Sequence, residues 1–312
     1  MGNALPRRLR IATRESRLAL RQSEMVAAAL RERHAGLVVE LVGMTTKGDR
    51  VLDRPLAQVG GKGLFVKELE NALDEDRADI AVHSLKDVPM VIEARFTLST
   101  FGPREDPLDA FCSPRHASLA AMPAGSVVGT SSLRRECQLR SRYPRLKFRP
   151  LRGNVNTRLA KLDAGEYDAI ILAVAGLKRL GFDDRIRARL DDAIPAIGQG
   201  ILAVEHLAAR GDLASLLAPF ENAAAACEAR AERALGLVVE GSCEVPVGAI
   251  ARAHGNSFRI DAFVGLPDGT RIVGDRAEGA CADAESIGRT LGDKLLAAGG
   301  REILDLIAGM PA

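Results

Sequence analysis

Short apolar runs rich in β-branched residues alternate with helix-patterned segments in this chain, and the alternation occurs twice. Leu9 to Thr13 reads as a strand, Ser16 as the cap of a helix running to Arg33, and Leu37 to Val42 as the next strand. Residues 64–76 then have the spacing of an amphipathic helix, and Asp79 to Ser84 that of a strand. The pattern restarts with a strand at Val127 to Thr130, Ser132 as the cap of a helix to Arg142, a strand from Lys147 to Leu151 and a helix from Asn154 to Ala164. Asp168 to Val174 is an apolar run suited to a strand covered on both faces. Strand-helix-strand units build parallel sheets with helices packed on them. The expected fold class is therefore α/β, with two lobes like those of periplasmic binding proteins flanking a cleft.

Past about residue 222 the character changes, by the same pattern reading. An Ala-rich helix spans Asn222 to Gly236, strand-like segments lie near 246–252, 258–264 and 270–274, and helices near 282–298 and 300–309. This predicts a small C-terminal α+β domain over 222–312, after one lobe built from 1–102 and 199–220 and a second from 106–195. Gly102 to Pro107 and Ile194 to Gly200 are the candidate linkers.

Composition narrows what such a chain can do. With 47% hydrophobic residues, 4% aromatics and no Trp, the cores must be aliphatic. The net charge is 43 − 41 = +2, so no global basic field draws the chain to nucleic acid or to a membrane surface. No apolar run reaches the ~18 residues of a membrane span. The opening MGNALPRRLRIA lacks the apolar core of a signal peptide. Five cysteines, without a C-x-x-C pair, argue against a disulfide framework and against zinc. The five histidines show no ligand spacing, so no metal is assigned. A reducing, cytoplasmic setting is the expectation.

Three kinds of residue carry chemistry. The first is arginine beside hydroxyls at strand-to-helix junctions: Thr13-Arg14-Glu15-Ser16-Arg17 and Thr130-Ser131-Ser132-Leu133-Arg134-Arg135. A helix N-terminus offers free N–H groups and partial positive charge, and guanidinium groups pair with carboxylates or phosphates. One such junction is an ordinary cap with solvated arginines, but two alike point to an anion held between the lobes. Between Arg134 and Arg158 stand nine Lys or Arg against one acid, Glu136, and Arg152 and Arg158 flank another helix start. Only Tyr143 and Phe148 are interleaved there, too few for stacking on single-stranded nucleic acid. A small polyanion fits better, with Arg140 and Arg145 left on the surface.

The second is Lys86-Asp87, at the end of an apolar strand, where open α/β sheets deliver functional groups. A fixed carboxylate there serves a cation or a proton transfer; a surface ion pair ahead of Pro89 is the equal alternative on spacing alone. The third is Cys243 in Gly-Ser-Cys-Glu-Val-Pro, either a small buried hydrophobe or a loop nucleophile and attachment point.

Taken together, the blocks resemble the porphobilinogen deaminase (hydroxymethylbilane synthase) family. The resemblance runs through Ile11-Ala12-Thr13-Arg14-Glu15-Ser16, Thr46-Lys47-Gly48-Asp49, Gly60 to Glu68, Ala78 to Pro89, Gly129 to Arg135, Leu151 to Val155, Leu172 to Gly181, Gly198-Gln199-Gly200 and Gly241-Ser242-Cys243. Leu108 stands where Arg is expected in close relatives, and Ser242 where Gly is frequent. The resemblance implies an enzyme that joins four porphobilinogen molecules head to tail, releasing ammonia each time, to give hydroxymethylbilane. It implies a dipyrromethane cofactor held by a thioether to Cys243, and Asp87 as the catalytic acid. It assigns Lys86, Ser132, Arg134 and Arg135 to the cofactor. Arg14, Ser16, Arg152, Arg158 and Arg179 fall to the acetate and propionate groups of the pyrroles. It further implies a monomer that engages neither nucleic acid nor membrane. The outside alternatives are a non-catalytic anion-binding module and a nucleic-acid binder.

Overall fold

A computed structural model of the chain describes residues 6–46, 48, 63, 66–239 and 245–309. The first sheet contains β1 (Arg8–Arg14), β2 (Val38–Met44), β3 (Ile80–Ser84), β4 (Phe96–Phe101) and β10 (Leu202–Leu207), in the order β2-β1-β3-β10-β4. β1 runs parallel to β2 and β3, whereas β10 is antiparallel to both its neighbours. The second sheet repeats the plan with β5 (Asp109–Cys112), β6 (Val127–Gly129), β7 (Lys147–Arg149), β8 (Ala169–Ala173) and β9 (Ala188–Leu190), ordered β7-β6-β8-β5-β9. Here β6 is parallel to β7 and β8, and β5 antiparallel to β8 and β9.

The wholly parallel sheets expected from the pattern are thus corrected to mixed sheets. Each lobe receives one strand that arrives from the other lobe, β10 in the first and β5 in the second. A chain entering from outside runs against the strands it joins. The backbone consequently passes between lobes twice, over residues 102–108 and 191–201.

Helices cover these sheets because their apolar residues recur on one face. α1 (Arg17–Arg33) buries Val26, Ala27 and Leu30 against β1, β2 and β3. α2 (Lys67–Asp74) buries Leu69, Ala72 and Leu73 beside β1 and β3. In the second lobe, α3 (Leu133–Arg142), α4 (Val155–Asp163) and α5 (Val174–Arg179) follow β6, β7 and β8. β8, with the sequence Ala-Ile-Ile-Leu-Ala, is buried over four of its five residues, as its continuous apolar run predicts.

α6 (Gly211–Leu217) closes the first lobe and α7 (Ala223–Val238) leads onward, capped by Asn222, whose Oδ1 accepts from the Ala225 N–H at 3.0 Å. β11 (Val247–His254), β12 (Ser257–Gly265) and β13 (Ile272–Ala280) form an antiparallel three-stranded sheet. α8 (Ala284–Leu295) and α9 (Arg301–Ala308) end the described chain. α7 and α8 pack on this sheet over Ala231, Leu235, Ile260 and Leu291. β13 runs well past the 270–274 segment expected. It is largely exposed, so its hydrophobic signal is weak. Among the described residues, no helix is long and apolar enough to cross a membrane, and no cluster of His, Cys, Asp or Glu could hold a metal ion.

Candidate active site

β3 ends at Ser84, and the chain tightens into a single 3₁₀ turn over Leu85–Asp87. Leu85 is buried as the anchor of this turn, while Lys86 and Asp87 are half-buried. Lys86 Nζ donates to Gln199 Oε1 at 3.1 Å. Burial lowers the Lys86 ammonium to about 8; the Asp87 carboxylate opposes that fall, and Arg135 adds to it. The charge of Asp87 also favours the Arg158 guanidinium. The carboxylate therefore sits within electrostatic reach of one cation from each lobe.

Both predicted serine caps form. Ser16 Oγ accepts from the Ala19 N–H at the start of α1, and Ser132 Oγ from the Arg135 N–H at the start of α3, each at 3.4 Å. Each hydroxyl keeps its own proton to offer an anion. Arg14 ends β1, and Arg17 is exposed.

Arg134 and Arg135 turn inward. Arg134 Nη2 reaches Asp109 Oδ2 at 2.8 Å and its Nη1 the Ile194 carbonyl at 2.7 Å. Arg135 gives Nε and Nη2 to Asp109 Oδ1 at 3.0 and 2.7 Å and Nη1 to the Ile171 carbonyl at 2.9 Å. Asp109 is wholly buried at the start of β5. Its burial would raise its pKa, but Arg134 and Arg135 outweigh that and hold it well below the usual carboxylate range. Gln199 completes the cluster: Nε2 donates to Asp109 Oδ1 at 2.9 Å and to the Pro107 carbonyl at 2.7 Å. One amide therefore joins Lys86 to the acid that holds both arginines.

The backbone at this point admits little else than glycine. Gly200 has φ +92°, and a Cβ there would stand 2.3 Å from the Glu105 carbonyl oxygen. Gly198, at φ +72°, would collide with Leu85 at 2.7 Å. Gln199 is held between them, 1% exposed.

A pocket opens between the lobes. Its polar lining includes Ser84, Lys86, Arg135, Arg158, Arg179 and Gln199, and Leu18, Val155 and Leu172 supply apolar wall. Leu18 belongs to α1 and approaches Gly176 of α5, where a Cβ would meet it at 3.5 Å. Burial lowers Arg158 and Arg179 to about 10 each. Arg158 Nε donates to the Gly153 carbonyl at 2.7 Å, and Arg179 Nη2 to the Gly200 carbonyl at 2.7 Å. Arg179 Nε is buried without a hydrogen-bond partner. Buried guanidinium groups with this little compensation suit a polycarboxylate ligand such as a dipyrromethane.

Of the residues predicted, Lys86, Arg135, Arg158 and Arg179 line this pocket. Asp87 is outside the lining, but its charge acts on Lys86 and Arg158, and Arg152 acts on Arg158 from the turn before α4. Arg14, Ser16, Ser132 and Arg134 stand outside its lining. Cys243 lies outside the described residues, as does most of the Gly-rich segment 60–65. Of the basic run, Arg142, Arg145, Lys147 and Arg149 face solvent, and Arg140 pairs with Glu136. Two participants were not foreseen. Asp109 had no sequence neighbour to reveal its partners 25 and 26 residues on, and Gln199 read as linker.

The chain is similar to proteins of one kind along almost its whole length. The family model described as porphobilinogen deaminase, dipyromethane cofactor binding domain, matches residues 9–215, and that described as porphobilinogen deaminase, C-terminal domain, matches residues 226–297. A porphobilinogen deaminase of Burkholderia thailandensis is 55% identical over 313 residues, covering 99% of this chain and 95% of that protein. One of Thiobacillus denitrificans is 53% identical over 301 residues, covering 96% and 98%. Among solved structures, the periplasmic aliphatic sulphonate binding protein SsuA from Escherichia coli has a TM-score of 0.41 at 13% identity, covering 77% of this chain and 72% of that one. On these matches, the chain belongs to the porphobilinogen deaminase family.

Proposed function

We propose that this protein condenses four porphobilinogen molecules head to tail, releasing one ammonia per unit, to give hydroxymethylbilane for tetrapyrrole synthesis. What carries the reading is the convergence of Lys86, Arg135, Arg158 and Arg179 on one interlobe pocket beside Asp87. Each porphobilinogen brings two carboxylates, so a growing chain needs many fixed cations, and this pocket has them. Arg14, Ser16, Arg152, Arg158 and Arg179 hold the acetate and propionate groups of the pyrroles. Lys86, Ser132, Arg134 and Arg135 hold the cofactor side; Arg134 acts there through Asp109 rather than by reaching into the pocket. A dipyrromethane bound through Cys243 supplies the anchored pyrrole to which units are joined.

Asp87 donates a proton to the departing amine of the substrate, and its carboxylate then faces the cation left on that pyrrole. Lys86, tied to Gln199, keeps carboxylates of the anchored pyrroles beside the acid. Leu18, Val155 and Leu172 keep bulk water from one side of the pocket, which strengthens each of these charge contacts. We read the protein as a cytoplasmic monomer acting on a small molecule, with neither nucleic acid nor membrane as partner.

Asp87→Asn tests the assignment. Ammonia release is expected to fall on the order of 100- to 10,000-fold while the denatured protein keeps the mass of a covalent dipyrromethane. Cys243→Ser is expected to lose that mass. Bilane formation near the parent rate by Asp87→Asn would overturn the role of the acid. A parent protein that gives no pyrrole colour with Ehrlich's reagent would favour the anion-binding module.

A further inference from the structure

Helix α7 grips the Lys86-Asp87 turn from both sides. Arg233 Nη2 donates to the Pro89 carbonyl at 2.8 Å and to the Met90 carbonyl at 3.0 Å, and Nη1 to the Val88 carbonyl at 3.5 Å. These are the three residues that follow Asp87. One position earlier on the helix, buried Glu232 accepts the Gly198 N–H at 2.6 Å. Gly198 precedes Gln199, whose Oε1 receives the Lys86 ammonium. Three positions after Arg233, Gly236 lies so close to both loops that a Cβ would come within 2.6 Å of Met90 Sδ and 2.8 Å of Ile197 Cδ1. Residues 232, 233 and 236 thus hold the segments on either side of the Lys86-Asp87 pair. The same helix ends at Val238, five residues before Cys243.

We propose that Arg233 is a positioning residue for the reaction. It fixes the loop behind Asp87 to α7, so that the helix holds the acid's turn in place while pyrrole units are joined. The proposal rests on the roles of Asp87 and Cys243 given above. A planar guanidinium meets three carbonyls at once, which an ammonium on a flexible stem does less well. Charged donors also make the stronger hydrogen bonds. Without them the 3₁₀ turn keeps the Leu85 N–H to the Ile201 carbonyl at 2.9 Å, the Val88 N–H to the Leu85 carbonyl at 3.1 Å and the Lys86 bond to Gln199, but the carbonyls of residues 88–90 lose their guanidinium. A shift of ~1 Å at a reacting group costs on the order of 100-fold in rate.

The test uses the full-length, cofactor-loaded protein with Arg233→Met and Arg233→Lys. The expected result is full covalent dipyrromethane by intact mass, KM within twofold of the parent, and kcat down on the order of 10- to 100-fold for Arg233→Met. Arg233→Lys should recover part of the loss. Amide hydrogen exchange across residues 88–91 should quicken in both variants, most in Arg233→Met. Unchanged exchange there, or kcat within twofold of the parent in loaded Arg233→Met, overturns the proposal. Should Arg233→Met fail to fold, Arg233→Lys decides it by the same two readouts. A parent that releases no ammonia from porphobilinogen sinks the functional reading alone, and the exchange result still decides whether Arg233 holds the loop.

Discussion

The two lobes start a helix from a capping serine in the same way, yet their arginines go to different places. In the first lobe Ser16 caps α1, and Arg17 beside it is exposed. In the second, Ser132 caps α3, and Arg134 and Arg135 are 5% and 7% exposed and directed inward. Two things differ: α1 opens Arg-Leu-Ala where α3 opens Leu-Arg-Arg, and the return strands bring different residues to the junction. Where β10 joins the first sheet, Leu202 stands opposite Ser84 at the end of β3. Where β5 joins the second, Asp109 stands opposite Ala173 at the end of β8. The carboxylate at that register pairs with the two guanidinium groups at the second and third positions of α3; in the first lobe a leucine stands at that register, and α1 has Leu18 and Ala19 at those positions. The junction motif supplies cations, and in the second lobe a residue remote in sequence holds two of them in place, one of which still lines the pocket.

Giving the second lobe the first lobe's residue should produce the largest effect. Asp109→Leu leaves two buried guanidinium groups without their acid, so a loss of about 3–5 kcal/mol is expected in urea unfolding. The acid limb of the parent tests the same pair. A carboxyl held below its unfolded value of about 3.9 contributes stability above that pH and loses it as pH falls toward the folded value. Stability of the parent should therefore drop below about pH 4 more steeply than that of Asp109→Leu.

A smaller effect concerns the cation that the first lobe does offer. Lys86, lowered to about 8 by burial, is charged at neutral pH and loses its charge above that value. kcat/KM for porphobilinogen should decline above about pH 8, and Lys86→Arg should move that decline to higher pH. A decline unmoved in Lys86→Arg would assign it to another group.

The smallest effect sharpens the part the lobes share. Ser16→Ala and Ser132→Ala each remove one cap bond, for about 1 kcal/mol each. Thermal unfolding should show similar losses in the two variants. A much larger loss for Ser132→Ala would mean that the buried arginines depend on their cap.

Local rules made part of this molecule legible. The serine caps, β8 and the amphipathic helices announce themselves within a few residues, because cap and period are short-range physics. β4, β5, β9 and β10 did not, since they belong to no strand-helix-strand unit of the pattern and β5 and β9 are besides only four and three residues long. Nor did the sense of the return strands, which depends on a chain arriving from the other lobe. At the site, Lys86, Arg135 and Arg158 converge as their positions near strand ends and helix starts suggest, whereas Arg179, the last residue of α5, was indicated by the resemblance alone. Asp109, Gln199 and Arg233 stayed hidden because each works on residues from 25 to 145 positions away. The resemblance of the blocks pointed to a chemistry, but not to what steadies the groups that perform it.

The two passages between the lobes touch where Gly200 meets Glu105. The Glu105 N–H donates to the Gly200 carbonyl at 3.1 Å, and no side chain fits between them. Two ribbons pinned side by side bend readily about one axis and resist sliding or twisting past each other. A gap flanked by such a pair is expected to open by bending rather than by letting its opposing walls slide past each other.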